Sequence, residues 1–265
     1  MKHISSRDNP QYKRLARLAA GKRDSHIVLE GIHICQTWLS HYGEPDLALF
    51  DIERLQSGKE LSQLAQAMSS RVALTCEPRL MHSLSHVEHG QGVYFLVAAP
   101  QPVSPTRIDE NCLWLDRIQD PGNVGTLLRT AAAAGIRHVY LSEGTAHAWS
   151  PKVLRSAQGA HFSLSIYERA DLQAEYKKLT IPLIATALAQ GQSLYSQPLP
   201  PCCAWLVGNE GQGVHPVLLT LADRCVFIPQ AAGVESLNVA MAAAICLFEH
   251  RRQHLAAGSQ PAAPA

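Results

Sequence analysis

Three polar segments carry the side chains most able to do chemistry. In "RIQDPGNVGTLLR", residues 117–129, Asn123 follows an Asp-Pro-Gly turn and Arg129 stands six residues further on. In "GNEGQG", residues 208–213, Glu210 sits among three glycines. In "PQAAGVESLN", residues 229–238, Glu235, Ser236 and Asn238 precede an apolar run from Val239 to Phe248. Turn geometry accounts for the glycines and for Asp120-Pro121. Asn123 and Ser236 are good helix N-caps, whose side chains accept from unpaired backbone N–H groups. No turn requires Arg129, Glu210 or Asn238. An arginine in the otherwise apolar "LLRTAAAAG" is costly without a partner, and a phosphate matches its planar fork of donors. At 1.5 Å per residue Arg129 lies about 9 Å along the helix from Asn123. Helical side chains lean toward the N-terminus, which brings its guanidinium back toward the helix mouth.

The elements that must hold these residues alternate along the chain. Each polar segment follows an apolar strand: "CLWLD" (112–116), "CAWLV" (203–207) and "CVFI" (225–228). Further strands read as "HVYLSE", "FSLSIYE" and "PLIATAL", with helices at "NVGTLLRTAAAAG" (123–135), near "PKVLRSAQGA", at 171–179, at 215–222 and from Ser236. Apolar strands alternating with helices predict an α/β fold with a mostly parallel sheet covered on both faces. Such sheets bind at the carboxyl ends of their strands, where all three polar segments fall. The first hundred residues form a smaller α/β module, with strands "HIVLEG", "LALFDI", "RVALTC" and "GVYFLVAA" and helices at 8–20, 31–41, 58–69 and 77–84. Pro100, Pro102 and Pro105 mark the break. The division is therefore 1–99, a linker at 100–110, a main domain at 111–255 and a disordered tail at 256–265.

The bulk properties exclude several classes. Hydrophobic residues make up 46% and charged ones 17% of 265 residues, which supports a buried core. No stretch has the length and apolarity of a membrane span. The basic start lacks the apolar centre of a signal peptide, and seven cysteines without a C-x-x-C pair read as reduced thiols, so a cytoplasmic protein is expected. Net charge is only +1, but Lys2, Arg7, Lys13, Arg14, Arg17, Lys22 and Arg23 oppose Asp8 alone within residues 1–23. These charges flank the apolar stripe Tyr12, Leu15, Leu18, so a folded basic surface aimed at phosphates competes with a plain solvated face. The glycine signatures of dinucleotide-binding and P-loop proteins are absent. His82, His86 and His89 lack a neighbouring Asp or Cys at ligand spacing, so no metal site is expected.

Taken together and in this order, the three segments resemble the motifs of the SpoU/TrmH family of RNA ribose methyltransferases. "NVGTLLR" is similar to its first motif, "LVGNEGQGV" to its second, and "IPQAAGVESLNVAMAAAICLFE" to its third. One departure is visible: the third motif's glycine, usual four residues after Ile228, stands one place later as Gly233. The resemblance implies a deep C-terminal trefoil knot, a homodimer with sites near its interface, and S-adenosyl-L-methionine as cofactor. It implies that Gly208, Ile228 and Leu237, flanked by Val207, Asn209 and Pro229, hold the cofactor. Arg129 is then the catalytic residue acting on a ribose 2′-hydroxyl, with Asn123, Glu210, Ser236 and Asn238 positioning the reactants. Residues 1–99 resemble the family's N-terminal substrate-binding domain, a fold like that of certain ribosomal proteins. Its RNA-binding residues are expected among Arg7, Lys13, Arg14, Arg17, Lys22 and Arg23. Ribosomal RNA is favoured over transfer RNA. The alternatives are a tRNA 2′-O-methyltransferase, and a non-catalytic RNA-binding or ribosome-assembly protein.

Overall fold

The computed structural model describes residues 1–22, 24–85, 90–188, 191–234 and 236–255. Arg23, His86, His89, Glu235 and the tail 256–265, all singled out in the sequence, lie outside the described residues. Contacts divide the chain into two compact units, Met1–Pro100 with Trp149–Phe162, and Gln101–Ala148 with Ser163–Ala265.

The first unit runs β1 (Lys2–Ile4), α1 (Pro10–Ala19), β2 (His26–Glu30), α2 (Ile32–Tyr42), β3 (Leu47–Asp51), α3 (Ile52–Ser57), α4 (Lys59–Gln66), β4 (Ala73–Cys76), α5 (Pro78–Leu84) and β5 (Val93–Ala98). Its sheet has the order β1-β4-β3-β5-β2, with β5 antiparallel to both neighbours and the remaining pairs parallel. Helix α1 starts where Pro10 fixes φ for the first turn and the Asn9 side chain accepts from the Gln11 and Tyr12 N–H groups. Tyr12, Leu15 and Leu18 of the sequence stripe are all buried in the core with Ile4, Leu49 and Leu96. Two elements are not predicted by the sequence pattern. Strand β1 is only three residues long, and its register is set by pairing with β4, some 70 positions away. Helix α3 is six residues long, capped by the Asp51 carboxylate at the end of a fully buried strand, where the sequence suggests only a strand end.

The second unit contains β6 (Cys112–Asp116), α6 (Pro121–Ala134), β7 (His138–Ser142), β8 (Ser165–Ala170), α8 (Leu172–Tyr176), β9 (Leu183–Thr186), β10 (Gln192–Ser193), β11 (Ala204–Gly208), α9 (Pro216–Leu221), β12 (Arg224–Phe227) and α10 (Val239–His254). The intervening α7 (Pro151–Ala157) belongs to the first unit, although it lies between β7 and β8 in the chain. The sheet order is β10-β12-β9-β11-β6-β7-β8, and every pair is parallel. Central strands β6 and β11 are buried at every position, which is why they read as continuous apolar runs. The strand expected at "FSLSIYE" starts later. Phe162 and Ser163 belong to a 3-10 turn, Ala160–Ser163, whose His161 is buried.

Candidate active site

The carboxyl ends of β9, β11 and β12 open onto a cleft of about 630 Å³ lined by Gly208, Asn209, Glu210, Ile228, Gln230, Ser236, Leu237 and Asn238, among others. The second and third polar segments line this cleft, and the first reaches its rim through the hydrogen bonds of Asn123 to Glu210 and Asn238, in keeping with the position rule for parallel sheets.

The geometry of that rim begins at two helix N-termini. Helix α6 is capped by Asp120, not Asn123: its carboxylate accepts from Gly122 N–H at 3.1 Å, and Pro121 occupies the first helical position. Asn123, one turn inside, is left free to bond elsewhere. Helix α10 is capped by Asn238, not Ser236: its Oδ1 accepts from Ala240 and Met241 N–H at 2.9 and 3.3 Å. Both residues are good caps by type, so local propensity does not separate them. What selects Asn238 is a second bond, from its Nδ2 to Asn123 Oδ1 at 3.0 Å. Asn123 Nδ2 in turn donates to Glu210 Oε1 at 3.0 Å. Glu210 also accepts from the backbone N–H groups of Gln119 and Asp120, both at 3.2 Å. The chain of bonds Asn238–Asn123–Glu210 fixes both amide orientations, since each amide has a donor and an acceptor role that only one arrangement satisfies.

Partial burial of Glu210 disfavours its charge. The donors Asn123, its own backbone, Gln119 and Asp120 outweigh that, and its pKa lies below the ordinary 4.5. The positive end of α6 favours the same ionised state. At neutral pH the rim is therefore held by a carboxylate.

Gly208 has its own steric reason. A Cβ there would lie 2.1 Å from Val214 N and 2.3 Å from Gly213 C, both backbone. Residues 209–214 fold back over the end of β11, and only a residue without a side chain permits it. The displaced glycine of the third segment is also used where it stands: Gly233 has φ +87°, a left-handed conformation natural to glycine. Cys246, at the base of the cleft, is buried and its thiol is pushed up to about 12, so it is neither a thiolate nor a nucleophile at neutral pH.

Arg129 departs from the sequence argument. It is exposed on α6 and does not line the cleft, so no desolvation cost demands a partner. Val207 is buried within β11 and Pro229 is exposed beside Ile228; neither lines the cleft, whereas Gly208, Asn209, Ile228 and Leu237 do. In the first unit Lys13 pairs with Asp8 at 2.7 Å, and Arg14 and Arg17 both face Asp24. Among the described residues, no group of three or more His, Cys, Asp or Glu is placed to hold a metal ion, and no helix is long and apolar enough to cross a membrane.

Two residues of the site carry no motif signal. Gln230 lines the cleft with its Oε1 buried and, among the described residues, without a donor. Arg117, directly after β6, holds φ +56° and is hydrogen-bonded to the 209–214 loop. The only sequence sign of the latter is an Asp-Arg pair closing an otherwise apolar strand.

An all-parallel sheet with a glycine-containing cleft at its carboxyl rim defines an α/β fold with a ligand-sized cleft. The chain belongs to the SpoU rRNA Methylase family, whose match covers residues 110–248. It is 33% identical over 261 residues to the 23S rRNA (guanosine(2553)-2′-O)-methyltransferase RlmP of Bacillus subtilis, spanning 95% of this chain and 100% of that one. It is 36% identical over 144 residues to the 23S rRNA (guanosine-2′-O-)-methyltransferase RlmB of Bordetella pertussis, covering 53% and 59% of the two chains. The crystal structure of an AdoMet-bound rRNA methyltransferase from Sinorhizobium meliloti superposes with a TM-score of 0.82 at 25% identity, covering 96% of this chain and 99% of that one.

Proposed function

We propose that this chain transfers the methyl group of S-adenosyl-L-methionine to a ribose 2′-hydroxyl of 23S ribosomal RNA. The observation that carries the reading is the hydrogen-bonded set Asn123, Glu210 and Asn238, which joins all three motif segments at the mouth of one cleft. The rRNA substrate is favoured over tRNA because the relative aligned along 95% of the chain is a 23S rRNA methyltransferase.

The cleft fits the cofactor by its donor set. Ile228, Leu237 and Val239 offer apolar walls for an adenosine, and the buried Gln230 Oε1 awaits an N–H donor, of which the cofactor has several. Gly208, Asn209, Ile228 and Leu237 would hold it, with Val207 and Pro229 shaping the strand ends beside them. When bound, it supplies a methyl group already electrophilic on a sulfonium. The protein then has to align the acceptor hydroxyl and accommodate its lost proton. Glu210, Asn123 and Asn238 keep the rim rigid, and the exposed Ser236 hydroxyl orients the ribose. The Arg129 guanidinium is too basic to take the proton, which passes to solvent water. It stabilises the developing alkoxide and the neighbouring RNA phosphate instead. The 2′-hydroxyl is the group that makes such a site specific for RNA over DNA.

The active species in this reading is a homodimer. Met241 and Phe248 are exposed and Ala244 and Ile245 half-buried on one stripe of α10, which packs on the helix carrying Arg129. That stripe is apolar surface suited to a second copy. A trefoil knot accords with the strand order, in which β11 inserts between β6 and β9. Residues 1–99 act as the RNA-binding domain through Arg7, Lys13, Arg14, Arg17, Lys22 and Arg23, residues 100–110 as a linker and residues 111–255 as the methyltransferase domain, in the cytoplasm. The test is incubation with methyl-labelled S-adenosylmethionine and undermodified total RNA, followed by nucleoside analysis. The reading expects label in a 2′-O-methylnucleoside of 23S rRNA. Label in tRNA, or cofactor binding without transfer to any RNA, overturns it in favour of a tRNA enzyme or a non-catalytic RNA-binding protein.

A further inference from the structure

We propose that Arg117 is a positioning residue that sets cofactor affinity by holding the 209–214 loop against the end of β6. The inference rests on the cofactor reading of the cleft. It starts from a conformation: among the described residues Arg117 is one of three non-glycine residues with positive φ, at +56°. A branched or long side chain avoids this region, and such outliers persist where the surroundings over-determine them.

The surroundings do so here. The Arg117 N–H donates to Ser142 Oγ at 2.9 Å, and its carbonyl accepts from Asn209 Nδ2 at 2.8 Å. Its guanidinium forms a two-pronged pair with Asp116, Nε to Oδ1 and Nη2 to Oδ2, each 3.1 Å. The remaining donors reach the loop: Nη1 to Gln212 Oε1 at 2.8 Å and Nη2 to Gly213 O at 3.3 Å. Asp116 is itself buried and accepts from His215 N–H at 2.8 Å. The loop is thus tied at Asn209, Gln212, Gly213 and His215 to one Asp-Arg pair.

The consequence for the cleft follows from what the loop carries. Residues 209–214 form one wall, and Glu210 within them reaches the N-terminus of α6. Only a planar fork can serve Asp116 and the loop at once; a lysine has the charge without the geometry. The left-handed backbone brings that fork round to the loop, while the loop's own bonds, Gly211 and Gln212 N–H to Asn209 Oδ1 at 3.0 Å, shape it internally but do not anchor it.

The test compares the parent chain with Arg117→Asn and Arg117→Lys. Asparagine accepts the left-handed backbone, so this variant removes the fork without imposing backbone strain. Amide hydrogen exchange on the free proteins should rise several-fold in peptides covering 209–215 and stay unchanged in peptides from 1–85. Calorimetry with S-adenosylmethionine should show a Kd raised tenfold or more for Arg117→Asn and by less for Arg117→Lys. At saturating cofactor, kcat should stay within threefold and KM for RNA should not move. Unchanged exchange in 209–215, or a parent-like Kd in Arg117→Asn, overturns the inference. A fall in kcat without a rise in Kd also overturns it. Failure of the parent chain to methylate RNA overturns the functional reading alone, because exchange and calorimetry use no RNA.

Discussion

Gly208→Ala is the substitution whose effect the structure fixes most closely. Its added carbon would stand 2.1 Å from Val214 N, 2.3 Å from Gly213 C and 2.5 Å from Val214 Cα. All three are backbone atoms, so no side chain can swing aside. Restoring an ordinary separation of about 3.4 Å moves the loop by roughly 1.3 Å. That displacement carries the bonds from Arg117 to Gly213 O, now 3.3 Å, and from His215 N to Asp116, now 2.8 Å, beyond hydrogen-bonding range. Both involve a charged group, and each such bond contributes roughly 1.5–3 kcal/mol. The loop is partly exposed and water replaces some of this, so a loss of about 3 kcal/mol is expected. For a domain of this size that lowers Tm by about 6–12 °C. If the cost falls instead on forming the binding-competent cleft, it weakens cofactor binding by roughly 150-fold. Differential scanning calorimetry and isothermal titration with S-adenosylmethionine measure the two. A variant with Tm within 1 °C of the parent and Kd within twofold would show that the loop does not close over Gly208 as described.

The other expectations concern the rim and the basic helix. Asn238→Ala loses the cap of α10 and its bond to Asn123, whereas Asn238→Ser keeps a cap; the alanine variant should be less stable by about 1 kcal/mol in denaturant titration. The Glu210 pKa is lower folded than unfolded, so its stabilising contribution is complete above pH 4.5 and lost as pH falls through the folded value. The Tm difference between the parent and Glu210→Gln should accordingly be constant from pH 7 to about 5 and shrink in more acid buffer. Arg129→Ala should abolish methyl transfer, leave cofactor Kd near that of the parent and change stability by less than about 0.5 kcal/mol, because the residue is exposed. A collapse of cofactor affinity with residual turnover contradicts the role given to it. Replacing Lys13, Arg14 and Arg17 by Gln should weaken RNA binding and flatten its salt dependence by about 0.7–0.9 for each phosphate no longer neutralised. An unchanged slope moves the RNA surface elsewhere on the molecule.

Elements with a strong period are legible in the chain itself. Strands such as "CLWLD" and "CAWLV" are buried at every position, and burial on both faces leaves a continuous apolar run. Position at a strand's carboxyl end is enough to bring the three polar segments to one rim. Short elements leave no such trace: β1 has three residues and β10 two, and each exists through pairing with a distant strand rather than through its own propensity.

Sequence alone determined the alternation of elements, the family motifs and which residue types face the rim, because those properties are local or periodic. The tertiary structure decided which polar group does what. Asn123 and Glu210 are 87 positions apart and Asn123 and Asn238 are 115, yet their bonds fix the roles of the residues at both helix mouths. The same holds for Arg117, whose left-handed backbone is explained only by the loop 92 to 96 residues later. A hydrogen bond across such separations depends on how strands stack in the sheet, and no pattern along the chain encodes it.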